Sequence, residues 1–201
     1  AVTYGARSIA TAHHADDQAE TVLLHLLRGS GPSGLIGMKF NRTIKNVELI
    51  RPLLRIYKTD LIDVCESESL VYAVDQSNLQ TKYRRNEIRL DILPFLGQYN
   101  GQITQALNQL SSVMTAEDDY VEQAAAKMYH ELVHKADERF TFSVSSFSGL
   151  HVALQRRLIK LILNYMSADS ELTDYNKIET LRDAITQKAP STWSRDLGGG
   201  F

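Results

Sequence analysis

Ala19, Val22, Leu23 and Leu26 recur at the i, i+3, i+4, i+7 spacing of a single helical face. Directly ahead of that face, Ser8 to Ala12 reads as a short, buried, β-prone strand. A strand that feeds a helix must hand it back to the same sheet, and this alternation constrains the chain more than any other feature. It is repeated downstream. "VELIRPLL" reads as an extended segment interrupted by Pro52, and Thr59 is placed to cap a helix running to about Glu68. "LVYAVD" reads as a strand ending at Asp75, and "YRRNEIRLDIL" as a helix that Pro94 stops. Strand and helix in alternation predict an α/β layered domain with a parallel sheet. Between its first helix, Asp16 to Arg28, and the next segment, "GSGPSG" from Gly29 to Gly34 reads as a loop.

From about Asn100 the pattern changes. Asn100 is a cap candidate for a long helix to about Lys135, and "FTFSV" from Phe140 reads as a short strand. "SGLHVALQRRLIKLILNYM" reads as an amphipathic helix, and Thr173 as the cap of another that reaches about Lys188. Pro94, Gly97, Asn100 and Gly101 cluster at the change, which sets the expected division at 1–98 and 99–201, an α/β part and a mainly helical part. The chain opens on Ala and enters a β-prone stretch within a few residues, and it ends on "DLGGGF". Both ends read as cut short.

Composition narrows the function classes. Cys65 is the one cysteine, which excludes an intramolecular disulfide framework and a multi-cysteine metal or iron–sulfur site. A net charge of −2 argues against coating nucleic acid through bulk charge, though not against a local basic patch. No long apolar run is present to span a membrane, and the first residues lack the basic start and apolar core of a secretory signal. The expected setting is cytoplasmic, without membrane association.

The densest chemistry lies in "TAHHADDQAETVLLHLLRGSG", Thr11 to Gly31. The strand delivers His13 and His14 to the carboxyl end of a sheet, where open α/β folds place their ligands. Asp16, Asp17 and Glu20 follow in the first turns of the helix, and Asp17 and Glu20 are i, i+3 neighbours whose carboxylates reach one point. Such a group suits a magnesium ion, with Asp16 or Asp17 as candidate ligands, or an ammonium group. The competing reading is a helix start. Acids in a first helical turn gain about 0.3–1 kcal/mol each from the helix dipole. That reading covers the acids but neither the paired histidines nor "RGSGPSG".

Taken together, "AHHADDQAETVLLHLLRGSG" resembles the second signature of the PP-loop ATPases, in the form carried by the tRNA(Ile)-lysidine synthetase family. The resemblance continues through "IRPLLRIYKTDL" and through "DQSNLQTKYRRNEIRLDILP", where Asp75, Ser77, Asn78, Arg85, Asn86, Arg89, Leu93 and Pro94 occupy the family's pattern. "LQRRLIKLIL" and "WSRDLGGGF" are similar to the family's helical substrate-recognition domain. The resemblance implies an adenine nucleotide α-hydrolase-like PP-loop domain, incomplete at its N-terminus, followed by that helical domain. It implies ATP-dependent ligation of free L-lysine to C2 of the wobble cytidine of a tRNA(Ile) with a CAU anticodon, through an adenylated tRNA, with ATP and magnesium as cofactors. The family's Ser-Gly-Gly-x-Asp-Ser loop, which wraps the ATP phosphates, occurs nowhere in these residues. "GSGPSG" follows a helix and does not replace it, so a protein of this sequence alone is expected to be inactive.

By the same resemblance Asp17, Glu20 and His13 are the expected catalytic residues. Asp16, Arg85, Asn86 and Arg89 are expected to bind substrate, the arginines holding a carboxylate or phosphate bidentately. Lys39, Arg42 and Lys45, in a basic run that extends to Lys58, offer a surface for tRNA phosphates, and Arg156 and Arg157 a second one. His130, His134 and His151 read as ordinary packing or surface residues, and Trp193 as a packing residue. Two other readings stay open: another PP-loop tRNA-modifying enzyme, such as a thiolase, and a non-catalytic tRNA-binding module.

Overall fold

In the computed structural model, residues 5–44, 46–73, 84–136, 139–166 and 174–187 are described. Strand β1 (Ser8–Ala10) runs parallel to β3 (Val47–Ile50), with Ser8 opposite Glu48 and Ala10 opposite Ile50. Glu48 N–H donating to Arg7 and Thr11 N–H donating to Ile50 extend the ladder by a bond at each end. Strand β2 (Asn41–Ile44) pairs antiparallel with β3, giving the order β1-β3-β2. The expected parallel sheet is therefore mixed among the described residues. A hairpin adds β2, and Asn46 in its two-residue turn adopts φ 65, the left-handed region a tight hairpin demands. All of β1 is exposed, where the sequence predicts burial, because β3 is its one partner among the described residues.

Between β1 and β3 comes α1 (Ala15–Leu27), the helix that the apolar spacing predicts. Ala19, Val22 and Leu23 join a core with Ile88, Leu93 and Leu107, whereas Leu26, expected on that face, is exposed. The helix ends where Gly29, at φ 74, receives the backbone turn that other residues avoid. The expected loop 29–34 is shorter than the sequence suggests. Gly31 serves as N-cap and Pro32 as first residue of a helical turn, α2 (Pro32–Leu35), which suits proline because that position needs no N–H. Helix α3 (Lys58–Ser67) starts one residue before the expected cap, Thr59, because Asp60 accepts the Tyr57 N–H and Asp16 accepts the Lys58 N–H. Leu70–Ala73 form no strand, and Val71 is fully exposed; the rest of "LVYAVD" lies outside the described residues.

Pro94 does not stop its helix. Helix α4 (Arg84–Glu87) runs into a π-helical turn (Ile88–Ile92) and on into α5 (Leu93–Gly97). Leu93 N–H donates to Ile88, five residues back. An α-helical turn would drive the Pro94 ring against the carbonyl of residue 90. The wider π turn relieves that clash and keeps the segment helical.

The chain forms two compact units, Ala1–Ala116 and Glu117–Phe201, and the division falls inside α6 (Ile103–Leu132). Asn100 Oδ1 accepts the Gln102 N–H just ahead of α6. In the second unit the hairpin β4 (His134–Ala136) and β5 (Arg139–Thr141) precedes α7 (Val144–Ser148), α8 (Val152–Met166) and α9 (Tyr175–Thr186). The single helix expected around residue 150 is thus split, with Gly149 capping α7. Phe147, Leu158, Ile159, Leu163 and Ile178 form the core of this unit. Asp174, not Thr173, caps α9; Thr173 and the closing segment with Trp193 lie outside the described residues.

Candidate active site

The start of α1 and the α4–π segment share one cluster of charge. Glu20 is 2% exposed and Asp17 9%. Arg89 grips Glu20 with both arms, Nε to Oε1 at 2.5 Å and Nη2 to Oε2 at 3.1 Å. Arg85 Nε donates to Glu20 Oε2 at 2.9 Å. The two arginines also converge on Asp17 Oδ1, Arg85 at 3.1 Å and Arg89 at 3.0 Å. Two carboxylates and two guanidiniums balance, which is the condition for keeping acids this deep. The hydrogen bond that Arg89 donates to Glu20 raises the guanidinium above the ordinary arginine pKa. The i, i+3 spacing of Asp17 and Glu20 does bring their carboxylates together, with Arg85 and Arg89 one helical turn apart to meet them.

Around that cluster the N-terminus of α1 is tied down. Asp17 Oδ2 accepts the His14 N–H at 3.0 Å, capping the helix. Both ring nitrogens of His14 face acids, Nδ1 at 3.3 Å from Asp16 Oδ2 and Nε2 at 3.4 Å from Asp17 Oδ2, and Nδ1 is buried without a hydrogen bond. Asp16 Oδ2 takes the Lys58 N–H at 2.9 Å and so joins α1 to the start of α3. His13 Nδ1 pairs with Thr11 Oγ1 at 2.9 Å, and burial lowers its pKa against the opposing pull of Asp17.

A cleft of about 360 Å³ opens beside the cluster. His14, Asp16, Glu20, Lys58 and Arg89 supply its polar lining, and Leu93, Pro94 and Ile103 its apolar wall. Its size is near the lower end for small-molecule sites, about 300–1,000 Å³. The Asp17 carboxylate does not fit a magnesium ion. Asp17 Oδ1 already faces two guanidiniums and Oδ2 a backbone N–H, and no group of three His, Cys, Asp or Glu residues among the described ones is arranged to hold a metal.

Of the other expected site residues, Asn86 lies on α4 between the two arginines. Asp75, Ser77 and Asn78 lie outside the described residues, as does Lys45. Lys39 and Arg42 are exposed, Arg42 on β2, and the Lys39 carbonyl accepts from Arg51. In the second unit Arg156 holds Glu179 bidentately, at 2.6 and 3.1 Å, and Arg157 bridges Asp118 and Glu122. Sequence reasoning misses two contributors. Lys58 stands in the sequence as the end of the basic run, yet it lines the cleft. Gln18 is buried and ties residues 36–38 to α1, its Oε1 accepting from Met38 N–H and its Nε2 facing Ile36 O, Met38 O and Ser111 Oγ. Its place with Ala15, Ala19 and Val22 on the i, i+3, i+4, i+7 face is the signal for burial.

Residues 1–96 match the model of a PP-loop domain. The chain is similar to a tRNA(Ile)-lysidine synthase of Bacillus cereus, 38% identical over 164 residues that make up 81% of this chain and 34% of that relative. A tRNA(Ile)-lysidine synthase of Clostridium acetobutylicum is 34% identical over 81% of this chain and 35% of its own length. The Bifunctional protein TilS/HprT of Listeria monocytogenes is 34% identical over 92% of this chain and 28% of its own length. The chain thus spans about a third of the length of the curated relatives it matches. Among the described residues, no helix is long and apolar enough to cross a membrane.

Proposed function

We propose, from the match of residues 1–96 to the model of a PP-loop domain, that the protein of which this chain is part is a cytoplasmic tRNA(Ile)-lysidine synthetase. It joins free L-lysine to C2 of the wobble cytidine of a CAU-anticodon tRNA(Ile). The C2 oxygen attacks the α-phosphate of ATP and releases pyrophosphate. The ε-amine of lysine then bonds to C2, the C2–O bond breaks, AMP departs with that oxygen, and the amine gives up its protons. The observation that carries this reading is the cluster that buried Asp17 and Glu20 form with Arg85 and Arg89 beside a small amphoteric cleft, in a chain with lysidine synthases among its relatives.

In this reading the cluster is a rigid charged floor. Its preorganised dipoles and charges need no rearrangement as charge develops above it. His13 is the proton acceptor. Burial favours its neutral form, and in the tautomer whose Nδ1–H donates to Thr11 Oγ1 the Nε2 is the accepting nitrogen. No step here runs through magnesium, which Asp17 does not fit. The phosphate-binding loop of the family is not among these residues. Lys39, Arg42 and Lys45 contact tRNA phosphates. The test is incorporation of labelled lysine into tRNA(Ile) by the full-length protein with ATP. Lysine-dependent AMP release is expected, and AMP release that ignores lysine overturns the reading.

A further inference from the structure

Not every charge at the cleft is engaged by a counter-charge. Asp17 and Glu20 are matched by Arg85 and Arg89, which already donate to them. Lys58 and Asp16 remain, Asp16 with the His14 ring 3.3 Å from its Oδ2. Lys58 makes no ion pair with any described residue, although it lines the cleft. Its backbone N–H is bonded to Asp16 Oδ2. That bond fixes the two residues side by side while using neither the Lys58 ammonium nor Asp16 Oδ1. A cation and an anion held next to each other, with Leu93, Pro94 and Ile103 forming an apolar wall, complement one chemical class. An α-amino acid presents a carboxylate and an ammonium on one carbon, and a long side chain presents methylenes.

We infer that Lys58 is a specificity-determining residue that receives the α-carboxylate of the amino-acid substrate, while Asp16 receives its α-ammonium. This rests on the reading that the cleft takes lysine, and it assigns which end of lysine is held and by what. The methylene stem lies on the apolar wall, which leaves the ε-amine as the free, reacting end. A nucleotide phosphate would also suit an unpaired lysine, but the adjacent Asp16 carboxylate repels it, whereas a zwitterion satisfies both.

The test is calorimetric titration of the full-length protein with L-lysine, L-norleucine and L-lysinamide, for the wild type, Lys58→Met and Lys58→Arg. Lys58→Met is expected to weaken lysine and norleucine about 30-fold, the scale of one charge-assisted hydrogen bond. Lysinamide, which has no carboxylate, is expected to shift less than about twofold on the same ground, and Lys58→Arg to recover most of the lysine affinity. Circular dichroism confirms that the variants fold, and the exposure of Lys58 favours that. Equal losses for lysine and lysinamide, or no loss for either, overturn the inference. Norleucine separates it from the reading beneath it. If norleucine binds as tightly as lysine and both depend on Lys58, the preference for lysine falls and the role of Lys58 stands. If lysine binds tightly and Lys58→Met does not weaken it, the reverse holds. If the wild type binds no amino acid, both fall.

Discussion

Arg89 meets Glu20 as a two-pronged fork, Nε at 2.5 Å from Oε1 and Nη2 at 3.1 Å from Oε2, although the two residues stand 69 positions apart in the chain. Glu20 is buried and Arg89 is partly solvated. The pair joins α1 to the π-helical turn, and any change at either residue acts on fold and site together.

Glu20→Gln and Asp17→Asn separate those two effects. Each leaves a guanidinium without its counter-charge, and breaking a buried pair costs about 3–5 kcal/mol. The solvent access of Arg85 and Arg89 places the expected cost at the low end, about 3 kcal/mol for Glu20→Gln and less for Asp17→Asn. Urea denaturation reads this. Lysidine formation by the folded variants, assayed at low temperature, is expected to fall at least about a hundredfold. Full activity in both would return these acids to the role of helix starters.

The lowered pKa of His13 gives a pH dependence with a definite sign. The unfolded histidine titrates near 6.5 and the folded one below it, because burial disfavours the imidazolium. As pH falls through 6.5 the unfolded chain takes up the proton first, so the folded state loses stability down to the folded pKa and no further. His13→Gln removes that component. The difference between wild-type and variant urea midpoints, measured from about pH 8 to about pH 5, should be flat above neutrality and shrink below it. A difference independent of pH contradicts the assignment.

Lys39, Arg42 and Lys45 changed together to Ala should weaken tRNA binding and flatten its salt dependence, by about 0.7–0.9 in log–log slope for each phosphate no longer neutralised. Lysine affinity should stay fixed. An unchanged slope removes this run from the tRNA surface and leaves Arg156 and Arg157 to be tested. Those two are engaged with Glu179, Asp118 and Glu122, so their replacement needs a stability control.

A protein of these 201 residues alone should bind ATP weakly or not at all, and release no AMP from it. The family's phosphate cradle consists of backbone amides in a loop this sequence does not contain. "GSGPSG" does start a helix, but α2 is a single turn, too short for a useful dipole. Titration with ATP and magnesium is the check. Micromolar affinity would mean that the nucleotide is held elsewhere on the chain.

Local pattern makes α1 legible. Its apolar period, its acids at the start and Gly29 at the end all act within a few residues of each other. Strand β2 is not legible, because all four of its residues are exposed and no alternation between faces marks them. Pro94 misleads because the clash it makes with an α-helical carbonyl is a local rule, while the π turn that relieves the clash is a rearrangement of several residues at once. In the site, the Asp17–Glu20 pair is readable from spacing. That Arg85 and Arg89 meet those acids across 65 to 72 positions is a tertiary fact that no local period encodes. Lys58 is hidden differently. It stands in a run of basic residues, and only the bond from its backbone to Asp16 moves it from that surface to the cleft.

The π turn also sets which genetic changes the segment can absorb. A π turn is a helix carrying one surplus residue, and the surplus keeps Arg85 and Arg89 facing α1 while Leu93 faces the core. Loss of a single codon anywhere in Ile88–Ile92 would restore the α period and turn everything on one side by about 100° relative to the other. Either the arginines leave Asp17 and Glu20, or Leu93 leaves the core. A substitution at exposed Asp91 asks for no such choice. Across homologous genes this stretch should therefore keep its length, with letters free to vary at exposed positions such as Asp91.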